Sequence, residues 1–591
     1  MKQFKAQFIF SWVLCISCFI TRAVDCQKWF SEKNVTRFTS ILEERVRRLM
    51  KCGDIPGLSI AVVKGNTTVL LKGLGYGDEK RQTFVNEESL FCIASLTKAF
   101  TSTLIASLLG DNAKNVTWDT PIRAILGHHF SLEDVNSSET ASLRDLLAHR
   151  MGLPRFDLAR FSTSFRKEFY KRLKFLHPSA PLRHRFIYNN WMYFLAARVS
   201  EKLGGKPWEE LLQQRIFDPL KMSSTTFTSK LHTNSVRFVH ALIRTTETVA
   251  NVDPLLHRKF SLDGADSICS TAADMVKWLK FHVSAGKSLD DHQLINSELL
   301  QDTHTQQISQ QLLPKVRQND QFTQMVEDGY GLGWGTGNYR GDPVLTHSGD
   351  LFGYTSKLTI LPQYKLGIFT NSNGPAGSGV SEVAHKLLHS LLADAVLGFP
   401  KQINEREACI VLQSQQKQSS LQQHEWKRQS LQSSQLLFEQ SKPFTGVYVH
   451  SGLGIINISY TPEKTLLRLT YDNVSSYICP SEIVDRFLME PTGVLKTIYG
   501  VEPVYRHLSY IEFIRKFNGG VLGVAIPLFD WENPPIFVKH VEGQTPSDTL
   551  AAEYQIYIRE FKKSFSTSKA SCNSSFTIIF YLLTLTIYEF S

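Results

Sequence analysis

Between Thr39 and Met50 apolar residues recur every three to four positions, the period of a helix with one buried stripe. The pattern then changes. Gly57 to Val63 and Thr68 to Leu74 are β-prone runs joined at Lys64-Gly65-Asn66, which predicts a hairpin. From Ala94 to Leu109 small and apolar residues (Ala99, Thr103, Ala106, Ser107) suit a closely packed helix, and Gly110 supplies its stop. Helical periods return at Asn190 to Leu203 and Trp208 to Arg215. Between Pro343 and Phe369, the β-prone runs Leu358 to Leu361 and Leu366 to Phe369 alternate with turns expected at Gly349 and Pro362, as in an antiparallel sheet. Strands on both sides of a helical insertion predict an α+β fold, a sheet layered with helices plus a separate helical lobe.

From Cys409 to Gln435 the composition shifts to Gln and Ser with few apolar residues, so 401–440 reads as a linker or an exposed helix. It divides a large region, 27–400, from a C-terminal module, 441–563. In that module short runs such as Gly446 to Val449, Ile455 to Tyr460 and Leu466 to Tyr471 predict a small all-β barrel or sandwich.

A length of 591 residues with 42% hydrophobic content implies a globular chain of two or three domains. The net charge of +10 is modest at this length, and no dense Lys/Arg run is present, which argues against a nucleic-acid partner. Lys2 and Lys5, an apolar run from Phe8 to Ile20 and small residues near Ala23 read as a secretory signal peptide over 1–23. That run is shorter than the roughly 20 residues that span a bilayer. At the other end, Phe576 to Tyr588 follows a polar stretch from Ser564 to Ser575, so 564–591 reads as a glycolipid anchor signal and hence membrane attachment. The alternative is a hydrophobic terminus that simply packs. Sequons at Asn34, Asn66, Asn115, Asn136, Asn457, Asn473 and Asn573 fit an extracellular, glycosylated chain. With the leader and Cys572 removed, Cys26, Cys52, Cys92, Cys269, Cys409 and Cys479 remain, an even number suited to disulfides and without metal spacing.

Three stretches carry chemistry. Ser95-Leu96-Thr97-Lys98 sets a hydroxyl and an amine one helical turn apart on a buried helix, where burial lowers the amine pKa and lets it activate the serine. The same S-x-x-K pattern at Ser164, Ser284, Ser414 and Ser566 lacks such a helix. Tyr188-Asn189-Asn190 leads into the Asn190 helix, and His347-Ser348-Gly349 enters the sheet. In this order and separation the three resemble the S-x-x-K, Y-x-N and K-T-G or H-x-G motifs of the β-lactamase-like serine hydrolases and penicillin-binding proteins. Leu143-Arg144-Asp145-Leu146-Leu147-Ala148-His149-Arg150-Met151-Gly152-Leu153, Ile216-Phe217-Asp218-Pro219-Leu220-Lys221-Met222 and Ser270-Thr271-Ala272-Ala273-Asp274-Met275 resemble further family segments. Met151 stands where serine is usual and Lys221 where glycine is.

The resemblance covers about Thr39 to Leu397 and implies a β-lactamase/transpeptidase-like fold, followed here by a lipocalin-like barrel. It implies Ser95 as nucleophile, Lys98 and Tyr188 as proton carriers, Asn190 as their orienter and His347 in place of the usual lysine. Backbone N–H groups of Ser95 and Asp350 would form the oxyanion hole, with Gly349 keeping the strand open. It also implies a Cys92 to Cys269 disulfide, because the Ser270 segment folds toward the active site. No cofactor and no metal are expected. The substrate is a small molecule or peptide: an ester, a small amide, a D-residue peptide or a β-lactam. The basic stretch from Arg144 to Arg185 either favours acidic substrates or is a solvated face. His450-Ser451-Gly452 and Tyr471-Asp472-Asn473 repeat two motifs in reversed order and read as coincidence, with Asn473 at the surface. The C-terminal module is expected to be dispensable for acylation. A second reading stays open: a catalytically inactive fold retained for matrix or cell-surface binding.

Overall fold

The computed structural model describes residues 32–111, 115–244, 249–310, 324–374, 380–401, 403–431, 438–496, 510–516 and 519–540. The expected leader and anchor segments, and Asn573, lie outside them. Eight antiparallel strands form the main sheet: β1 (Gly57–Lys64), β2 (Thr67–Gly75), β3 (Ile308–Ser309), β4 (Met325–Tyr330), β5 (Gly335–Tyr339), β6 (Asp342–Leu351), β7 (Tyr354–Leu361) and β8 (Leu366–Ser372). Their order is β2-β1-β8-β7-β6-β5-β4-β3. The helices that matter here are α1 (Glu32–Cys52), α2 (Thr97–Gly110), α3 (Asn190–Gly204), α4 (Ala272–Val283), α5 (Val380–Leu397) and α6 (Glu405–Leu431).

The unbroken burial of β1 follows from helices on both faces of the sheet. Leu58, Ile60 and Val62 share one core with Leu42, Val46 and Leu49 of α1 and Leu387 and Leu391 of α5. Their neighbours Ala61 and Val63 point the other way, into the core that holds Trp278 and Leu279 of α4. α2 runs through the middle of that second core. Thr101 and Ser102 turn their hydroxyls onto backbone, Thr101 onto Gly264 O at 2.8 Å and Ser102 onto Ala99 O at 3.1 Å.

One expectation is corrected. Gly349 is not a turn: β6 continues through it to Leu351, and the chain reverses at Phe352 and Gly353, both at positive φ. Of linker and exposed helix, the Gln/Ser-rich stretch takes the helical form, with its start buried. It forms α6, whose first turns bury Ala408 and Leu412 in the α1–α5 core and are tied to α1 by a Cys52–Cys409 disulfide. Buried methyls spaced at 408 and 412, with Cys409 between, fix this end to the body.

Beyond α6 eight strands, from Gly446–His450 to Ile536–Lys539, close into a barrel, the first pairing with the last. Closure leaves no open edge. Its interior is packed with rings, Phe444, Phe487 and Phe513 meeting at centroid distances of 4.7 to 5.0 Å. Cys479 is buried in the barrel wall with Sγ 3.7 Å from Leu488 O.

The barrel is docked on the body. Leu173 and Leu176 belong to the same buried cluster as Tyr448, Leu453 and Tyr471 of the barrel. A Cβ on Gly452 would lie 2.6 Å from Leu176 and 2.8 Å from Phe175 O, so only glycine allows this approach. The module is therefore packed against the body and is not an independent appendage. The repeats at 450–452 and 471–473 are the turns of this seam. Asn473 donates from Nδ2 to Phe161 O at 2.9 Å and Thr163 Oγ1 at 3.1 Å, and its Oδ1 accepts from Lys259 Nζ at 2.8 Å. That nitrogen is the one a glycan would occupy, so the expected modification at Asn473 conflicts with the seam. Asn66, Asn115, Asn136 and Asn457 are exposed. Among the described residues no helix is long and apolar enough to cross a membrane.

Candidate active site

The strand Phe91–Cys92 pairs with Ile268–Ser270, and Cys92 stands directly opposite Cys269, to which it is joined by a disulfide. Ile268 is held again by Ile93 N on its carbonyl at 3.0 Å and by Thr97 Oγ1 on its own N–H at 3.1 Å. Ala94 follows at φ 49, the left-handed region that costs a β-carbon-bearing residue energy. Ser95 comes next, on a short 3-10 turn that leads into α2. The nucleophile candidate is thus carried at a sharp, pinned strand-to-helix junction.

Four of the expected site residues converge there. Lys98 Nζ donates to Ser95 Oγ at 3.0 Å, to Asn190 Oδ1 at 2.7 Å and to Ala265 O at 3.2 Å. Tyr188 OH donates to the same Ser95 Oγ at 2.8 Å. Lys98 is fully buried, and burial, only partly offset by Asp266, brings its pKa down to about 7. Burial drives the Tyr188 phenol the opposite way, well above its ordinary value. The ammonium also lies 4.6 Å from the Tyr188 ring centroid.

His347 stands beside Tyr188 and is held by two hydrogen bonds of its own. Its Nδ1–H donates to Ser348 O at 2.6 Å, so Nε2 is the acceptor for Tyr330 OH at 2.9 Å. Burial and the Lys98 charge lower its pKa to about 3, which keeps the ring neutral. Its centroid is 6.4 Å from that of Tyr188. It borders the site with both nitrogens engaged elsewhere, because β6 turns it toward Tyr330 of β4.

Gly349 is packed closely against the Ser95 junction. A Cβ there would meet Ser356 Oγ at 2.4 Å, Ile93 O at 2.6 Å and Ser95 N at 3.0 Å. Asp350 faces the other side of the sheet, its carboxylate accepting from Thr355 Oγ1 at 2.8 Å. β5 ends opposite Thr346, so the backbone edge from His347 onward runs past Ser95 without a β5 partner.

Several residues around this centre were given no role by the sequence. Asn190 Nδ2 donates to Asp157 Oδ1 at 3.0 Å, and Asp157 Oδ2 accepts from Arg155 Nε at 2.7 Å. Burial would raise the Asp157 pKa, but Arg155 and Arg160 hold it below the usual carboxylate range. Arg160 pairs with Asp266 at 2.9 Å beside the Lys98 acceptor Ala265. His149, at φ 56, accepts Ile187 N–H on its carbonyl at 2.9 Å and Asn189 N–H on Nδ1 at 3.1 Å, gripping Tyr188 from both sides. A glycine-rich run from Gly329 to Gly335 flanks Tyr330 on this wall.

The basic stretch is largely neutralised: Arg150 and Arg183 pair with Asp145, Arg144 with Asp119, Arg172 with Glu168 and Arg185 with Glu532. Lys221, in glycine's usual place, stands at φ 57 and Met151 is packed in the core.

A helix-covered antiparallel sheet with a serine and lysine at the head of a buried helix defines a β-lactamase-like protein. The profile of the family described as Beta-lactamase matches residues 42–392, and the chain belongs to that family. It is similar to the Unguisins hydrolase ungD of Aspergillus violaceofuscus, 28% identical over 380 residues that cover 61% of this chain and 65% of that protein. It thus spans just under two thirds of that relative. Gigasin-6 of Magallana gigas is 27% identical over 250 residues, 42% of this chain and 82% of that protein. Among solved structures, an octameric penicillin-binding protein homologue from Pyrococcus abyssi matches in fold with a TM-score of 0.51 and 20% identity, over 82% of this chain and 97% of that one.

Proposed function

We propose that the chain is an extracellular serine hydrolase that works by acyl transfer through Ser95. The observation that carries this reading is the double approach to Ser95 Oγ, by a buried amine at 3.0 Å and a phenol at 2.8 Å. The pKa directions divide their roles. A lysine near 7 is substantially neutral at physiological pH, whereas a phenol raised by burial is not a phenolate there, so Lys98 is the base.

In the acylation step Ser95 Oγ bonds to the acyl carbon while its proton passes to Lys98 Nζ. The carbonyl oxygen takes the electron pair and is met by the backbone N–H groups of Ser95 and Asp350. The bond to the leaving group then breaks, and that group departs with the proton, relayed from Lys98 through Tyr188. Water repeats the sequence on the acyl-enzyme: it gives a proton to the Tyr188/Lys98 pair, and Ser95 Oγ recovers it as the acid is released. Asn190, braced by Asp157, fixes the direction of Nζ. His347 keeps a neutral wall beside Tyr188, where a lysine would add charge.

The substrate is an ester, small amide, D-residue peptide or β-lactam. Two disulfides fit an oxidising, extracellular setting, with glycans at exposed Asn66, Asn115, Asn136 and Asn457 and attachment through the C-terminal anchor segment. The test is a screen of chromogenic esters, D-residue amides and β-lactams against purified protein. At least one is expected to turn over, with Ser95→Ala lowering kcat by about 1,000-fold or more. Equal turnover by wild type and Ser95→Ala would remove Ser95 from the mechanism, and no turnover with any class would favour the binding role.

A further inference from the structure

The chain between Asp157 and Tyr188 leaves the active site, crosses the surface and returns. At its start, Asp157 braces Asn190 and so Lys98; at its end stands the phenol on Ser95. The C-terminal barrel holds this excursion near both ends. Asp472 Oδ2 accepts from Ser162 Oγ at 3.1 Å, Thr163 N at 2.8 Å and Ser164 N at 3.3 Å, and Asn473 takes Phe161 O at 2.9 Å. These contacts fall four to seven residues after Asp157. On the return, Ser179 Oγ donates to Asp530 Oδ2 at 2.7 Å, and Arg185 makes a two-pronged pair with Glu532, Nη1 to Oε1 at 3.0 Å and Nη2 to Oε2. Arg185 is three residues from Tyr188. Between the two clips Gly452 is pressed onto Phe175 and Leu176.

We infer that the barrel is a clamp built into the active site, in which Asp472, Asn473 and Glu532 are positioning residues that set Asp157 and Tyr188 against Lys98 and Ser95. This rests on the hydrolase reading, and it goes further by making the second domain part of the catalytic centre. The physical reason is geometric. Side chains that hand a proton between atoms about 3 Å apart lose rate steeply when displaced by about 1 Å, and the barrel adds its clips beside Asp157 and Tyr188 to the packing of Phe165 and Phe169 on Trp191 and the Arg183–Asp145 pair, which hold the excursion to the body. The bidentate Arg185–Glu532 pair supplies direction as well as attraction.

Charge reversal tests the clamp in the full-length protein. Glu532→Arg sets two cations face to face and is expected to lower kcat on an ester substrate by about tenfold or more with KM changed by less than about threefold. Arg185→Glu alone should act likewise, and the Arg185→Glu/Glu532→Arg double variant should recover most of the loss. Glu532→Gln, which keeps a neutral hydrogen bond, serves if the reversal does not fold. Hydrogen exchange gives a readout that needs no turnover: residues 183–190 should exchange faster in Glu532→Arg or Glu532→Gln than in wild type. Wild-type kcat in both variants overturns the clamp, and so does unchanged exchange over 183–190 even if no substrate is found. Failure of the hydrolase reading shows separately, as a wild type that turns over nothing.

Discussion

At Ser95 two donors of opposite tuning meet one oxygen, and burial is the common cause. It lowers the ammonium of Lys98 to about 7 and raises the phenol of Tyr188, so one proton acceptor is ready at neutral pH and one donor is kept protonated. The sign of the pH dependence follows. Below about 7 Lys98 is charged and cannot take the serine proton; above it, neutral amine accumulates. Acylation by a fluorophosphonate is therefore expected to rise with a single midpoint near pH 7 and level off by about pH 8.5, since His347, near 3, does not titrate in that window. Stopped-time labelling across the range measures it, and a rate flat or falling from about pH 6 to 8 would contradict Lys98 as base. Ser95, Lys98, Tyr188 and Asn190 were legible in the sequence because their spacings are local motifs on helices. Asp157 and Tyr330 were not, because their contacts with Asn190 and His347 join distant segments that leave no spacing to read; His149 was visible within the Leu143–Leu153 segment, but without a role. His347 was legible as a site neighbour but not in its role, which is set by the direction β6 gives its ring.

Elements carry the nucleophile through two disulfides of different consequence. Cys92–Cys269 sits three residues before Ser95 and pins the strand that presents it, whereas Cys52–Cys409 ties α6 to α1 across the sheet from the site. Each closes a long loop, 177 and 357 residues, for which the chain-entropy relation gives about 5–6 kcal/mol, above the roughly 2–4 kcal/mol typical of disulfide removal. Only Cys92→Ala/Cys269→Ala is expected to slow acylation as well as lower Tm; Cys52→Ala/Cys409→Ala should lower Tm alone. Equal loss of labelling in both pairs would show that the distinction is wrong. The alternating and helical patterns made most of these elements legible. Gly349 was misread because glycine in a sequence usually marks a turn, while here it clears space beside Ser95. The start of α6 escaped notice because only a few side chains, Ala408 and Leu412 among them, bind it to the core.

The whole molecule is two folds joined by a seam that neither pattern announces. Asp472 falls in a repeat read as coincidence and Asp530 and Glu532 carry no motif, while their partners at 162–185 lie in the basic stretch; only the folded chain brings them together. A chain ending at residue 440 is expected to lose stability and acylation together. It re-exposes Leu173 and Leu176, at about 1.5–3 kcal/mol for each side chain if fully uncovered, and frees the excursion that carries Tyr188. A truncated protein with wild-type Tm and labelling rate would restore the module to the status of an appendage. The most direct measurement of the central claim is peptide mapping of the full-length protein after brief exposure to a fluorophosphonate at about pH 8, where the Lys98 amine is mostly neutral. A single adduct on Ser95, absent from Ser95→Ala and strongly reduced in Lys98→Met, is the expected result. An adduct on any other residue, or one formed equally by Ser95→Ala, would contradict it.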